Sequence, residues 1–116
     1  MSKTHYRAIV IDAFSRNVYE TMIPRNNSLS ALQAILGGNI EVAHRTGAGD
    51  IIFVDEGGFN RSPRDFFYFQ GAHQPFAGSG VVVSDEEYED VNTTVEAIKA
   101  RVRFADINDL IRQNAA

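Results

Sequence analysis

The 116-residue sequence contains no cysteine and no tryptophan, has only three prolines, and carries lysine at positions 3 and 99 alone. Without cysteine there is no disulfide, no thiolate-bound zinc, no iron–sulfur cluster and no thiol nucleophile. With so little lysine, and no Gly-x-x-x-x-Gly-Lys-Ser/Thr stretch, a P-loop is excluded by chemistry as well as by pattern. No segment approaches the ~18 consecutive apolar residues of a membrane span. The opening Met-Ser-Lys-Thr-His-Tyr-Arg leads into alternation without an apolar signal core. The expected location is the cytoplasm, with no membrane partner.

The residues that are present suit one globular domain. Hydrophobic residues make up 44% of the chain, eight Phe and four Tyr among them. A chain of this length buries roughly two-thirds of the surface its unfolded form exposes, enough for a single core. The formal charge of −4 is local: Asp85, Glu86, Glu87, Glu89 and Asp90 hold five of the 15 acids, and the remainder is 11 basic against 10 acidic. No basic stripe exists to neutralise phosphates along a duplex, so duplex nucleic acid is disfavoured as a partner. The acidic run reads either as a solvated loop or first helical turn, or as an anionic surface offered to a basic partner.

Hydrophobic spacing predicts an α+β domain, with five to six strands in a mostly antiparallel sheet and two or three short helices. Residues 6–14 and 18–23 alternate around Ser15-Arg16-Asn17 and predict a β-hairpin. Leu29, Leu32, Ile35 and Leu36 recur at helical steps, with Ser28 as the expected N-cap and Gly37 as a left-handed C-terminal cap. Past Gly38 the period changes to two, predicting strands over 40–44 and 50–55 in a meander. Another strand is expected past Pro63, a loop over 71–80, and a central strand at Val81-Val82-Val83. Thr93-Thr94-Val95-Glu96 reads as a capping box opening a helix whose stripe is Val95, Ile98 and Val102. Residues 105–113 read as further helix, followed by a tail fraying from 114.

Chemistry is harder to place. Gly47-x-Gly49 and Gly78-x-Gly80 lack the third glycine, the following helix and the acidic residue of a dinucleotide site, so they read as turns. His5, His44 and His73 form no His-x-His or His-x-x-x-His pair, and no metal site is expected. No Gly-x-Ser-x-Gly elbow occurs, and Asp55-Glu56 are neighbours on a turn, so no catalytic residue is assigned and no cofactor is implied. One constellation stands out. Arg61 and Arg64 lie beside Phe59, Phe66, Phe67, Tyr68 and Phe69, joining guanidinium forks to stacking faces as a small nucleotide-like ligand would require. On a strand, Phe67 and Phe69 share one side and Phe66 and Tyr68 the other. Arg61, Arg64, Phe67 and Phe69 are therefore the candidate ligand residues, although aromatics alternating along a strand also commonly fill a core.

Leu32-Gln33-x-x-x-Gly37-Gly38-x-Ile40-Glu41, then Ile51-Ile52-Phe53-Val54-Asp55-Glu56-Gly57-Gly58 and Gly80-Val81-Val82-Val83, resembles a small family of unknown function encoded by bacteriophages, plasmids and bacteria. The resemblance covers about residues 28–84. It departs at Phe59-Asn60-Arg61-Ser62-Pro63, where relatives often carry a Leu-Pro-x-Asn turn. The resemblance supplies no catalytic residues. It implies a mobile-element context in a bacterial host, where small single-domain proteins bind a host protein or sequester a host signal. The sequence-based expectation is thus a noncatalytic, homo-oligomeric accessory protein that binds a host protein, with sequestration of a nucleotide-like signal as the alternative.

Overall fold

A computed structural model describes residues 3–115; Met1, Ser2 and Ala116 lie outside that range, and with Ala116 the end of the expected tail. In chain order the elements are β1 (His5–Asp12), β2 (Asn17–Pro24), α1 (Ser28–Leu36), β3 (Ile40–Arg45), β4 (Asp50–Asp55), β5 (Asp65–Phe69), β6 (Phe76–Ala77), β7 (Gly80–Ser84), α2 (Val95–Lys99), β8 (Val102–Asp106) and α3 (Ile107–Ala115), with short 3-10 turns before α1 and β5. The class is α+β. Eight strands form two antiparallel sheets, β2-β1-β7-β4-β3 and β6-β5-β8, where one sheet of five or six strands was expected. Among the described residues no helix is long and apolar enough to cross a membrane.

The alternation of β1 explains the layering. Tyr6, Ala8 and Val10 face one side with Ile23, Ile51, Val81 and Val83, and α1 covers them with Leu32 and Leu36. Ile9 and Ile11 face the other side with Ile52, Val54 and Val82, where Phe67, Phe69 and Phe76 of the second sheet, with Val91 and Ile98, close the core. Every residue of β7 is buried, as expected of a central strand.

The expected hairpin forms in register from His5–Pro24 to Asp12–Asn17. The β3–β4 pair also forms, with a bulge after Val42. The meander does not continue from there: β4 pairs next with β7, which pairs with β1. The loop expected over 71–80 contains the two-residue strand β6, paired to β5.

The helix ends carry three corrections. Ser28 is the first residue of α1 rather than its N-cap, and its hydroxyl bonds the Tyr6 phenol; the N-cap position is Asn27, which makes no side-chain cap bond. At α2 the cap is Thr94, not Thr93. Its Oγ1 accepts from Ala97 N–H at 3.2 Å, leaving Glu96 one residue too early to complete a capping box. The helix expected through Val102 ends at Lys99, because Val102–Asp106 pair antiparallel with β5 as β8. Helix α3 begins only at Ile107 and continues to Ala115. Gly37, by contrast, caps α1 as expected, with φ of 86° and its N–H donating to the Gln33 carbonyl at 2.7 Å.

Nothing lies within 4 Å of a Cβ added at Gly37, so Gly37→Val isolates backbone strain and should cost on the order of 1 kcal/mol or more. Thr94→Ala should cost about 1 kcal/mol, and Thr93→Ala much less. Urea unfolding midpoints of the three variants check both expectations; equal losses at the two threonines would misplace the cap.

Candidate functional site

The loop following β7 is tied down at both ends. Asp85 N–H donates to the Gly49 carbonyl at 2.9 Å, and Val91 N–H donates to the Arg7 carbonyl at 2.9 Å. Arg7 returns its own N–H to Asp90 Oδ1 at 2.7 Å and its guanidinium to the Val91 carbonyl at 2.6 Å, while Lys3 Nζ lies 2.8 Å from Asp90 Oδ2. The Lys3 and Arg7 hydrogen bonds hold the Asp90 pKa below the ordinary aspartate value. Asp90 is thus an anchor. Asp85, Glu86, Glu87 and Glu89 are exposed.

Anchoring places this loop against α1. Between them runs a groove of about 320 Å³ with Leu29, Leu32, Ile40, Ile51 and Phe53 among its apolar lining and Asp85, Glu87 and Glu89 among its polar lining. Among the described residues no lysine, arginine or histidine lines it. Leu29 is 56% exposed, so part of the apolar stripe of α1 faces the groove instead of the core. Tyr88 forms another wall, held at φ of 66°, a region bulky residues seldom occupy. Its ring meets the Tyr6 ring edge-on at 6.3 Å, and the Arg25 guanidinium lies 6.0 Å from its centroid. A hydrogen bond to the neighbouring Glu87 carboxylate, followed by that charge, raises the Tyr88 pKa above the ordinary tyrosine value.

The arginine–aromatic segment is arranged differently from expectation. Phe67 and Phe69 are 0% and 2% exposed and sit in the core, Phe67 against Phe76 at 5.3 Å between centroids, so neither ring is an open platform. Phe66 is buried as well, and Tyr68 is half-buried with its hydroxyl donating to Gln113. Arginines do stack on this strand, but they come from the α2–β8 turn and from β8: Arg101 lies 4.4 Å from the Phe69 centroid and Arg103 4.2 Å from that of Tyr68. Placing Val102 and Ala105 in helices, where the chain is extended as β8, hid both pairs.

Arg61 and Arg64 line a second groove of about 430 Å³ together with Phe14, Ile35, Asp55 and Asp65. Arg61 Nε sits 2.7 Å from Asp55 Oδ2, and Asp55 Oδ1 accepts from Gly57 N–H at 2.9 Å. A Cβ at Gly38 would meet that carboxylate at 2.5 Å and the guanidinium at 2.6 Å, so the second glycine of the pair makes room for the ion pair. Arg64 is exposed and makes no ion pair among the described residues, while its carbonyl accepts from Ile107 N–H at 2.8 Å. Two cations line this groove with two carboxylates, whereas among the described residues the first groove holds three carboxylates and no cation.

With this geometry in hand, the sequence matches a described protein family over residues 6–106, the domain of unknown function DUF3846. The chain belongs to the DUF3846 family. No curated protein and no solved structure matches it. The DUF3846 match runs from the second residue of β1 to the end of β8 and takes in the whole lining of both grooves, with α3 following it.

Among the described residues of this DUF3846 domain, no group of three or more His, Asp or Glu side chains is placed to hold a metal ion. His5 pairs with Thr4, and His44 lies 5.6 Å from the Phe69 centroid, where burial, then Arg101 and His73, lower its pKa. The other buried acid, Asp50, accepts from Asn92 N–H and Nδ2 at 2.9 and 3.0 Å and so fixes the chain leading into α2.

Burial opposes ionisation of Asp55, but the Arg61 and Gly57 hydrogen bonds and the Arg61 charge prevail and lower its pKa. A depressed folded pKa stabilises the fold above the unfolded aspartate value of about 3.9, and that stability is lost as pH falls through the folded value. Arg61→Met should therefore be less stable than the native protein near neutrality, with the gap closing as the solution is acidified. Urea midpoints measured across the acid range check this; a gap independent of pH would show that the ion pair is not its source.

Proposed function

We propose that this DUF3846 domain is a noncatalytic binding protein of a phage or other mobile element, and that it engages a basic, partly apolar surface of a host protein through the groove between α1 and the acidic loop. The observation that carries this reading is the excess of negative charge: Asp85, Glu87 and Glu89 with an apolar lining and no cation among the described lining residues, Arg25 standing outside that lining at 6.0 Å from the Tyr88 ring. Exposed ion pairs contribute only about 0–1 kcal/mol each, whereas burying one leucine contributes about 1.5–3 kcal/mol. Affinity then comes from covering Leu29 and its neighbours, and the carboxylates steer approach and select partners. The noncatalytic reading is supported by the commitment of the buried Asp55, both of whose oxygens are used, to Arg61 and Gly57. Homo-oligomerisation is part of the same reading. It is supported by exposed Tyr19 and Met22 on edge strand β2 and exposed Val42 on edge strand β3.

A nucleotide-like ligand is the second reading, now resting on Phe14. This ring is 70% exposed in the groove that holds Arg61 and Arg64, where it can serve as the stacking face that Phe67 and Phe69 do not offer.

Replacing Asp85, Glu86, Glu87 and Glu89 by their amides, while retaining the Asp90 anchor, should slow association with the host protein several-fold and flatten its salt dependence with the melting temperature preserved. Leu29→Ser should instead speed dissociation. Stopped-flow association at two salt concentrations with the partner captured from the bacterial host reads both. Kinetics unchanged by the amide substitutions would reject the groove, and a thermal shift with nucleotides that depends on Phe14 and Arg64 would favour the second reading.

A further inference from the structure

The groove is small, has aromatic walls and is negative, and these properties together specify more than a basic partner. Its volume of about 320 Å³ is at the lower end of the ~300–1,000 Å³ of drug-sized ligand sites, the scale of one long side chain. Tyr88 and Phe53 line it, and Tyr88 is 41% exposed. Asp85, Glu87 and Glu89 supply carboxylates. An ammonium ion is compact and strongly hydrated, and would lose that hydration against Leu29, Leu32 and Ile40. A guanidinium is planar and weakly hydrated, packs on aromatic faces, and meets a carboxylate with two parallel N–H donors. Internally, this protein already sets Arg103 4.2 Å from the Tyr68 centroid and Arg101 4.4 Å from that of Phe69.

We propose that the groove is an arginine-reading site: one arginine side chain of the partner lies with its methylene stem along Leu29 and Ile40, its guanidinium packed on Tyr88 and paired with the groove carboxylates. This rests on the partner-binding reading of the same groove and adds its specificity. Tyr88 is the specificity-determining residue, because it adds a π face to a surface that would otherwise accept any basic side chain. Arg25, whose guanidinium stands 6.0 Å from the Tyr88 centroid, is the internal cation nearest to competing for that ring.

The test is a titration of ¹⁵N-labelled protein with acetyl-arginine N-methylamide, acetyl-lysine N-methylamide and the neutral isostere acetyl-citrulline N-methylamide, followed by amide shifts. The arginine compound should move the amides of Leu29, Leu32, Glu87 and Tyr88, with lysine several-fold weaker and citrulline weaker still. Tyr88→Gly suits the φ of 66°, and amide signals unchanged outside the groove verify that the variant keeps its fold; it should reduce the arginine response about three- to tenfold while leaving the lysine response nearly unchanged. Citrulline matching arginine would overturn the proposal by removing charge from recognition. Lysine matching arginine at the same amides, or an arginine response indifferent to Tyr88→Gly, would overturn guanidinium selection while leaving a basic partner in place. Absence of groove shifts with all three compounds would overturn both this inference and the reading on which it rests.

Discussion

Strand β7 is hydrogen-bonded along both edges and buried on both faces, and the rest of the molecule is arranged around that double enclosure. A strand of Gly-Val-Val-Val-Ser has no solvent face to offer, so each side of the five-stranded sheet needs a cover. Helix α1 supplies one cover with Leu32 and Leu36. The other requires bulk, and Phe67, Phe69 and Phe76 from a second sheet provide it. This demand for aromatic volume is what withdraws Phe67 and Phe69 from ligand chemistry.

The same enclosure creates the acidic groove. After Ser84 the chain leaves β7 at the end of the sheet near α1, and residues 85–91 return to Arg7 on β1. Asp90 is used in that return, which leaves the other carboxylates of the run at the surface. Because α1 contributes Leu32 and Leu36 to the core but leaves Leu29 half-exposed, an apolar lining and acidic residues meet in one groove. Neither feature alone would distinguish a binding surface from an ordinary solvated one. Their juxtaposition, with no basic side chain among the described lining residues, gives the groove an apolar floor and a negative rim.

The other groove shows how similar residues give a different result. Arg61 is held by Asp55, and Arg64 and Asp65 add one charge of each sign to the lining, so the groove carries no net charge from these four residues. The Gly37-Gly38 pair has two separate duties there: Gly37 turns the chain out of α1 at positive φ, and Gly38 leaves room for the Asp55–Arg61 pair. The turn was legible from local spacing. The packing duty depends on an arginine more than twenty residues away.

Local sequence by itself determined the β1–β2 hairpin, the body of α1 and its Gly37 cap, the central place of Val81–Val83, and the clustering of acid between Asp85 and Asp90. These features rest on neighbouring residues, whose alternation or helical spacing is written into the chain. Tertiary structure alone decided that the strands divide into two sheets and that Val102–Asp106 extends instead of coiling, because both depend on β5 finding its partners β6 and β8. It also decided which arginines meet aromatic rings, and that Leu29 and Tyr88 share a groove with three carboxylates. Sequence spacing describes which residue types are available; contacts between segments tens of residues apart decide which of them the core consumes and which it leaves to bind.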